Sequence, residues 1–139
     1  MPHIEIVELK TLTLRRQQQL LELFTAADFT DSADTADWLN AAIAGSVLAV
    51  GALDENGDLV GFARALGDGV SDCYIQDVTV KSSCRKQGIG SMLVEYLLKE
   101  LEKRHIDWIG LIATPGNGDF YRNMGFEVMS DHIPMVLKK

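Results

Sequence analysis

The sequence predicts an α/β domain of the α+β kind, with one mixed, mostly antiparallel sheet and helices on both of its faces. Three observations carry this reading. Apolar segments of strand length alternate with segments of helical periodicity. An Asp54-Glu55-Asn56-Gly57-Asp58 turn joins two of the strands, and Asn-Gly is the strongest short-range hairpin signal. No repeat and no Pro/Gly/Ser-rich linker divides the 139 residues, so 1–139 reads as one domain, within the roughly 100–200 residues usual for a single core.

The elements follow in order. His3 to Leu9 alternates polar and apolar side chains, as a half-buried strand does. Leu14, Leu20, Leu21, Phe24 and Ala27 set a helical face between Thr13 and Ala27. A second helix is expected from about Ser32 or Asp34 to Ala44, capped by the local Ser and Asp residues and stopped at Gly45. Val47–Leu53, Leu59–Leu66 and Cys73–Val80 read as strands. Ile89 to Arg104 is the clearest helix, with Ile89, Met92, Leu93, Tyr96 and Leu97 on one side. Glu95–Lys99 and Glu100–Arg104 are spaced for i,i+4 pairs on the other. Trp108–Ala113 is a further strand, Phe120–Asn123 a helical turn, and strands are expected near Phe126–Met129 and Pro134–Leu137.

Composition excludes several classes. Apolar residues make up 47% and charged residues 24%, an ordinary globular balance. No apolar run approaches the roughly 18–20 residues needed to span a bilayer, and Met-Pro-His-Ile-Glu-Ile lacks the basic and apolar regions of a signal peptide. Cys73 and Cys84 form no CxxC spacing, so reduced thiols and a cytoplasmic location are expected. A net charge of −7 argues against nucleic acid as a partner, since that affinity comes mainly from phosphate neutralisation. His3, His105 and His132 make no metal-ligand spacing with the cysteines; no metal is expected.

Against this acidic background Lys81, Arg85 and Lys86 cluster ahead of Gly88 and Gly90. The loop Arg85-Lys86-Gln87-Gly88-Ile89-Gly90 lies between a strand ending at Val80 and a helix opening near Ile89. The first turn of a helix leaves backbone N–H groups without intrahelical partners, and its dipole favours anions. Glycine lets the backbone approach a phosphate with no Cβ in the way, and Arg85 and Lys86 add charge. A Walker loop is absent, and Leu93 stands where a dinucleotide fingerprint wants glycine. No GxSxG elbow points to a serine hydrolase.

Two motifs in sequence order resemble the GNAT N-acetyltransferase superfamily. One is Asp77-Val78-Thr79-Val80 followed by Arg85-x-x-Gly88-x-Gly90-Ser91 and a long helix. The other is Phe120-Tyr121-Arg122-Asn123-Met124-Gly125-Phe126. The resemblance covers nearly the whole chain. It implies central strands that splay apart, with acetyl-CoA as cosubstrate in the gap. Val78, Thr79 and Val80 would hold the pantetheine arm by main-chain bonds. The amides of Arg85, Lys86, Gln87, Gly88, Ile89, Gly90 and Ser91 would hold the pyrophosphate. Val78 N–H would stabilise the oxyanion and Tyr121 would protonate the leaving thiolate. Lys81-Ser82-Ser83 replaces the proline common after the family's strand, and Asn117 lies closer to Tyr121 than the family's usual asparagine.

Transfer of acetyl to an amine also needs a base. Asp77 is the candidate the residues favour, with Tyr74 and Gln76 nearby; the same carboxylate can instead be structural and meet Arg64, and a water relay can replace it. Arg64, Asp68 and Asp72 can line an acceptor pocket or pair at the surface. The acceptor is expected to be a small-molecule or peptide amine, and a homodimer is compatible with the family. A non-catalytic acyl-CoA sensor is the alternative, which would keep the glycine loop but need no proton donor.

Overall fold

A computed structural model describes residues 3–31 and 35–139. The elements are β1 (Glu5–Glu8), α1 (Leu14–Ala26), α2 (Leu39–Ala44), β2 (Leu48–Leu53), β3 (Leu59–Gly67), β4 (Asp72–Val80), α3 (Ile89–Lys103), β5 (Trp108–Gly110) and α4 (Gly118–Arg122), with a 3-10 turn over Ser82–Cys84. The strands form one sheet in the order β1-β2-β3-β4-β5. The first four pair antiparallel and β5 joins β4 in parallel, so the mixed sheet matches the sequence reading.

Strand alternation sends neighbouring residues to opposite faces, and both faces are covered. Leu48, Val50 and Ala52 of β2 pack with α3 through Ile89, Leu93, Val94, Leu97 and Leu101. Ala49 and Leu53 of the same strand pack with α1 and α2 through Leu20, Leu23, Phe24, Leu39 and Ile43. All six residues of β2 are therefore buried. Gly61 lets α3 approach β3, since a Cβ there would stand 3.0 Å from Leu93 Cδ1 and 3.2 Å from Ile89 Cγ2. Thr13 caps α1, its hydroxyl accepting from Arg16 N–H at 3.2 Å.

Several expectations change. The expected start of α2 at Ser32 or Asp34 falls outside the described residues, and the helix itself begins only at Leu39, after Trp38 and with no side-chain cap. Trp38 stacks on Phe24 (centroids 5.9 Å apart). On α3, Val94 replaces Met92 in the core and Met92 is 37% exposed. Neither expected i,i+4 pair forms there. Glu100 pairs with Lys103 at 2.8 Å, and Arg104 donates to the Val47 carbonyl at 3.0 Å, tying the helix end to β2.

β5 stops at Gly110 rather than Ala113, and no strand follows it among the described residues. The chain leaves the sheet after Gly110, and the segments expected as strands at 126–129 and 134–137 do not pair with it. Ile133, Met135, Val136 and Leu137 are consequently 79–88% exposed, and Pro134 can donate no ladder bond. Among the described residues no helix is long and apolar enough to cross a membrane.

Leu97→Ala should lower unfolding free energy by about 2–5 kcal/mol, as for other large core truncations. Met92→Ala should cost less than about 1 kcal/mol. Urea unfolding of the two variants checks which side of α3 faces the sheet.

Candidate active site

The site begins with a sheet that fails to close. β4 and β5 pair only over Asp72–Tyr74 and Trp108–Gly110. From Ile75 to Val80, β4 has β3 on one side and no strand on the other among the described residues. The expected splay thus opens beyond Tyr74.

A bulge shapes that open edge. Phe62 lies opposite Thr79 and Arg64 opposite Gln76, so Asp77 and Val78 together face Ala63. One extra residue disrupts the ladder and bends the strand. Asp77 absorbs the irregularity in a left-handed conformation, φ 60°, which aspartate tolerates better than most residues. Its side chain is then clamped. Arg64 Nε donates to Asp77 Oδ2 at 2.7 Å and Arg64 Nη1 to the Ala42 carbonyl at 3.3 Å. The pair is mostly shielded, at 16% and 22% side-chain exposure.

Past β4 the chain turns toward α3. Lys81 N–H donates to the Val60 carbonyl at 2.8 Å, extending β4's hold on β3. Gly88 caps α3 with φ 80° and no side-chain cap bond; this left-handed conformation disfavours any side chain. The first helical bond runs from Met92 N–H to the Gly88 carbonyl at 3.0 Å, so the amides of Ile89, Gly90 and Ser91 start the helix without intrahelical partners.

These features line a cleft of about 710 Å³. One wall is Val78–Val80, and the floor is Arg85, Lys86 and the helix start from Gly88 to Ser91. Gln87 is not among its lining residues. The other wall holds Thr114, Asn117, Phe120 and Tyr121. Asn117 therefore borders the cleft despite its short spacing from Tyr121, and its side-chain amide donates to Thr114 Oγ1 at 2.6 Å.

A second cleft of about 320 Å³ lies on the far side of Val78, lined by Tyr74, Gln76, Asp77 and Ile112 among others. Phe29, Val78, Thr114, Asn117 and Tyr121 line both clefts. Tyr121 sits in α4, with its ring edge-on to Phe120 (4.9 Å) and Phe126 (5.8 Å). Burial pushes its phenol above the ordinary value, so the hydroxyl is a proton donor across neutral pH.

The other sequence candidates lie elsewhere. Asp68 does not meet Arg64; it closes the β3–β4 turn, accepting from the amides of Val70 and Ser71 at 2.8 Å each and from Ser71 Oγ at 2.7 Å. The Ser71 bonds, with the Val70 amide, hold its carboxyl far below the usual range. Asp68 and Asp72 line neither cleft. No cluster of three or more potential metal ligands occurs among the described residues. Phe29 and Thr114, which line both clefts, carry no motif. Phe29 is a lone aromatic in the acidic stretch Asp28-Phe29-Thr30-Asp31, which is the only sequence signal it offers. Thr114 offers none.

Comparisons with known proteins agree with this geometry. A family model described as the acetyltransferase (GNAT) family matches residues 14–126. The chain is 40% identical over 74 residues to a chloroplastic serotonin N-acetyltransferase of Oryza sativa, covering 53% of this chain and 37% of that protein. It is likewise 40% identical over 74 residues to a histone acetyltransferase of Glycine max, covering 53% and 32%. The matches thus span about a third of these curated relatives' length. A solved GNAT-family acetyltransferase from Streptococcus pneumoniae superposes with TM-score 0.79 at 30% identity, over 99% of this chain and 98% of that one.

Removing one partner of a shielded ion pair leaves the other uncompensated. Arg64→Met should therefore lower stability by about 1–3 kcal/mol, and adding Asp77→Asn should recover part of that loss. Urea unfolding of the single and double variants reads both.

Proposed function

We propose that this chain, which belongs to the acetyltransferase (GNAT) family, transfers an acetyl group from acetyl-CoA to a primary amine by direct attack with both substrates bound. Members of this family generally use acetyl-CoA. The observation that carries the reading is that Val78 and Tyr121 stand where two clefts meet. One cleft is built for a phosphate-bearing ligand and the other holds a carboxylate.

The residues fit the coenzyme. Arg85, Lys86 and the uncapped amides of Ile89 to Ser91 provide positive potential for its pyrophosphate. The open edge of β4 offers main-chain groups at Val78, Thr79 and Val80 to an extended arm, as an added strand would meet them. Acetyl-CoA supplies an activated thioester. The protein's part is to hold that carbonyl near the amine and stabilise developing charge. The bulge takes Val78 out of register with β3, which suits its N–H to an oxyanion role. Tyr121, kept neutral by burial, is the group that gives a proton to the departing sulfur.

Asp77 has a narrower role in this scheme. With Oδ2 held by Arg64, it is suited to orient an ammonium through its other oxygen. Water in the second cleft then carries the amine's proton away. The proposal extends to self-association, supported by the free edge of β5 and the exposed apolar segment Ile133–Leu137, which one copy can offer to another. It also extends to a cytoplasmic location, supported by the unpaired Cys73 and Cys84.

Tyr121→Phe should leave acetyl-CoA affinity by calorimetry nearly unchanged while lowering kcat by about 10²-fold or more. Unchanged turnover would overturn the assignment. Since burial raises the phenol's pKa, its proton is retained as pH rises. Wild-type kcat should therefore show no alkaline loss from this group below about pH 10, the ordinary phenol value.

Gly88→Val, which forces a β-branched residue to φ 80°, should weaken acetyl-CoA binding by about tenfold or more with little change in acceptor preference. Calorimetry with acetyl-CoA and thiol release across several amines check the two halves. Tight coenzyme binding with no thiol release from any amine would favour the sensor alternative.

A further inference from the structure

The names of the relatives do not choose an acceptor, since they include both serotonin and histone acetyltransferases. The second cleft has a chemistry of its own. At its inner end stand Val78 and Tyr121, with Asp77 beside them. Among the described residues Asp77 is the one charged side chain that lines it, and that charge is already half-satisfied by Arg64.

The walls carry apolar groups together with the neutral polar side chains Gln76, Thr114 and Asn117. Phe29, shared with the first cleft, and Tyr74, Leu111 and Ile112 supply the large apolar surfaces. These include side chains that the protein leaves strongly exposed: Phe29 is 40% exposed, Tyr74 49% and Ile112 71%. Tyr74 is held by Trp108, ring centroids 5.1 Å apart at 60°, so it presents a supported aromatic surface. The cleft continues into a groove of about 460 Å³, which shares Tyr74, Leu111, Ile112 and Tyr121 and adds Trp108, Val128 and Met129. The charged groups of that groove among the described residues are Arg122 and Glu127, beside the imidazole of His132, and Arg122 is paired with Asp119 at 2.7 Å.

We propose that the acceptor is a primary monoamine bearing an aromatic or similarly bulky apolar group. Its nitrogen lies at the Asp77–Val78 end and its apolar part rests between Phe29, Tyr74 and Ile112. This rests on the acetyl-transfer reading above. Apolar atoms taken from water are favourable roughly in proportion to area, whereas a buried polar group without a partner is penalised. An amino sugar would bring several hydroxyls against the apolar surfaces of Phe29, Leu111 and Ile112. A polyamine would bring further ammonium groups into a cleft where Asp77 is the single carboxylate among the described residues. A peptide would bring unpaired amides. The size also suits: a cavity of about 150 Å³ already holds a benzene ring, and about 320 Å³ leaves room for a short aminoalkyl arm.

The test uses the full chain with acetyl-CoA, reading free thiol for phenethylamine, propylamine, spermidine, glucosamine and an alanine-initiated tripeptide. Phenethylamine should show a kcat/KM at least tenfold above each of the others. Tyr74→Ala and Ile112→Ser change exposed residues that the fold does not require. Each should raise KM for phenethylamine about tenfold, as pocket contacts of this size do, with little change in kcat or in acetyl-CoA affinity by calorimetry.

A preference for spermidine, glucosamine or the peptide would overturn the proposal while leaving acetyl transfer intact. So would equal use of propylamine and phenethylamine, or variants with unchanged KM. Acetyl-CoA binding without thiol release from any of the five would overturn the acetyl-transfer reading itself, and this inference with it.

Discussion

The clamp of Arg64 on Asp77 is the constraint on which the site depends. Two residues of β4 must face one residue of β3, and Asp77 accommodates this in a left-handed conformation. A non-glycine residue held there costs on the order of 1–3 kcal/mol and persists only where its surroundings over-determine it. Here the surroundings are specific. The guanidinium reaches Asp77 from the neighbouring strand and also ties to Ala42 in α2. The distortion that offers Val78 to the cleft is thereby locked to the packing of α2 against the sheet. A strand without the bulge would keep Val78 in register with β3.

The second requirement is that the start of α3 stays in place beside that strand. Five residues of the helix are buried against the sheet, and Gly61 removes the side chain that would hold the helix off β3. At the other end Arg104 is fastened to Val47. Exposed amides attract an anion usefully only if their direction is fixed beforehand. Core packing along α3 therefore acts directly on the cleft. On a protein with a net charge of −7, the local excess at Arg85 and Lys86 further confines anions to this end.

How much of this was legible in the sequence follows from how each feature is built. The phosphate-facing half is local: strand, basic residues, two glycines and helix run consecutively from Val78 to Ser91, so spacing alone exposed it. Tyr121 was legible only through a second motif placed in the expected order. The bulge was not legible, because it is a mismatch between β3 and β4 and leaves no mark in β4 alone. The Arg64–Asp77 contact, one of the readings the residues allowed, needed that register to be chosen. The terminal strands misled for a related reason. Phe126–Met129 and Pro134–Leu137 have strand-like side chains, but such propensity makes a strand only where the segment pairs with a neighbour, and these do not join the sheet.

The acceptor side is the opposite case from the phosphate side. Its walls come from Phe29 after α1, Tyr74 to Val78 on β4, and Leu111 to Tyr121 after β5. These segments meet only because the sheet splays. Each contributes one or two side chains with no local pattern. Main-chain groups can grip a coenzyme whatever residues surround them, whereas recognition of an amine rests on side chains gathered from distant parts of the chain. Such side chains can vary without disturbing the β4 bulge or the start of α3. Under the proposed acetyl transfer, the architecture separates the pairing of Val78 with Tyr121 from the rim around Tyr74 and Ile112. On that proposal a change of acceptor requires altered rim residues and no new catalytic group.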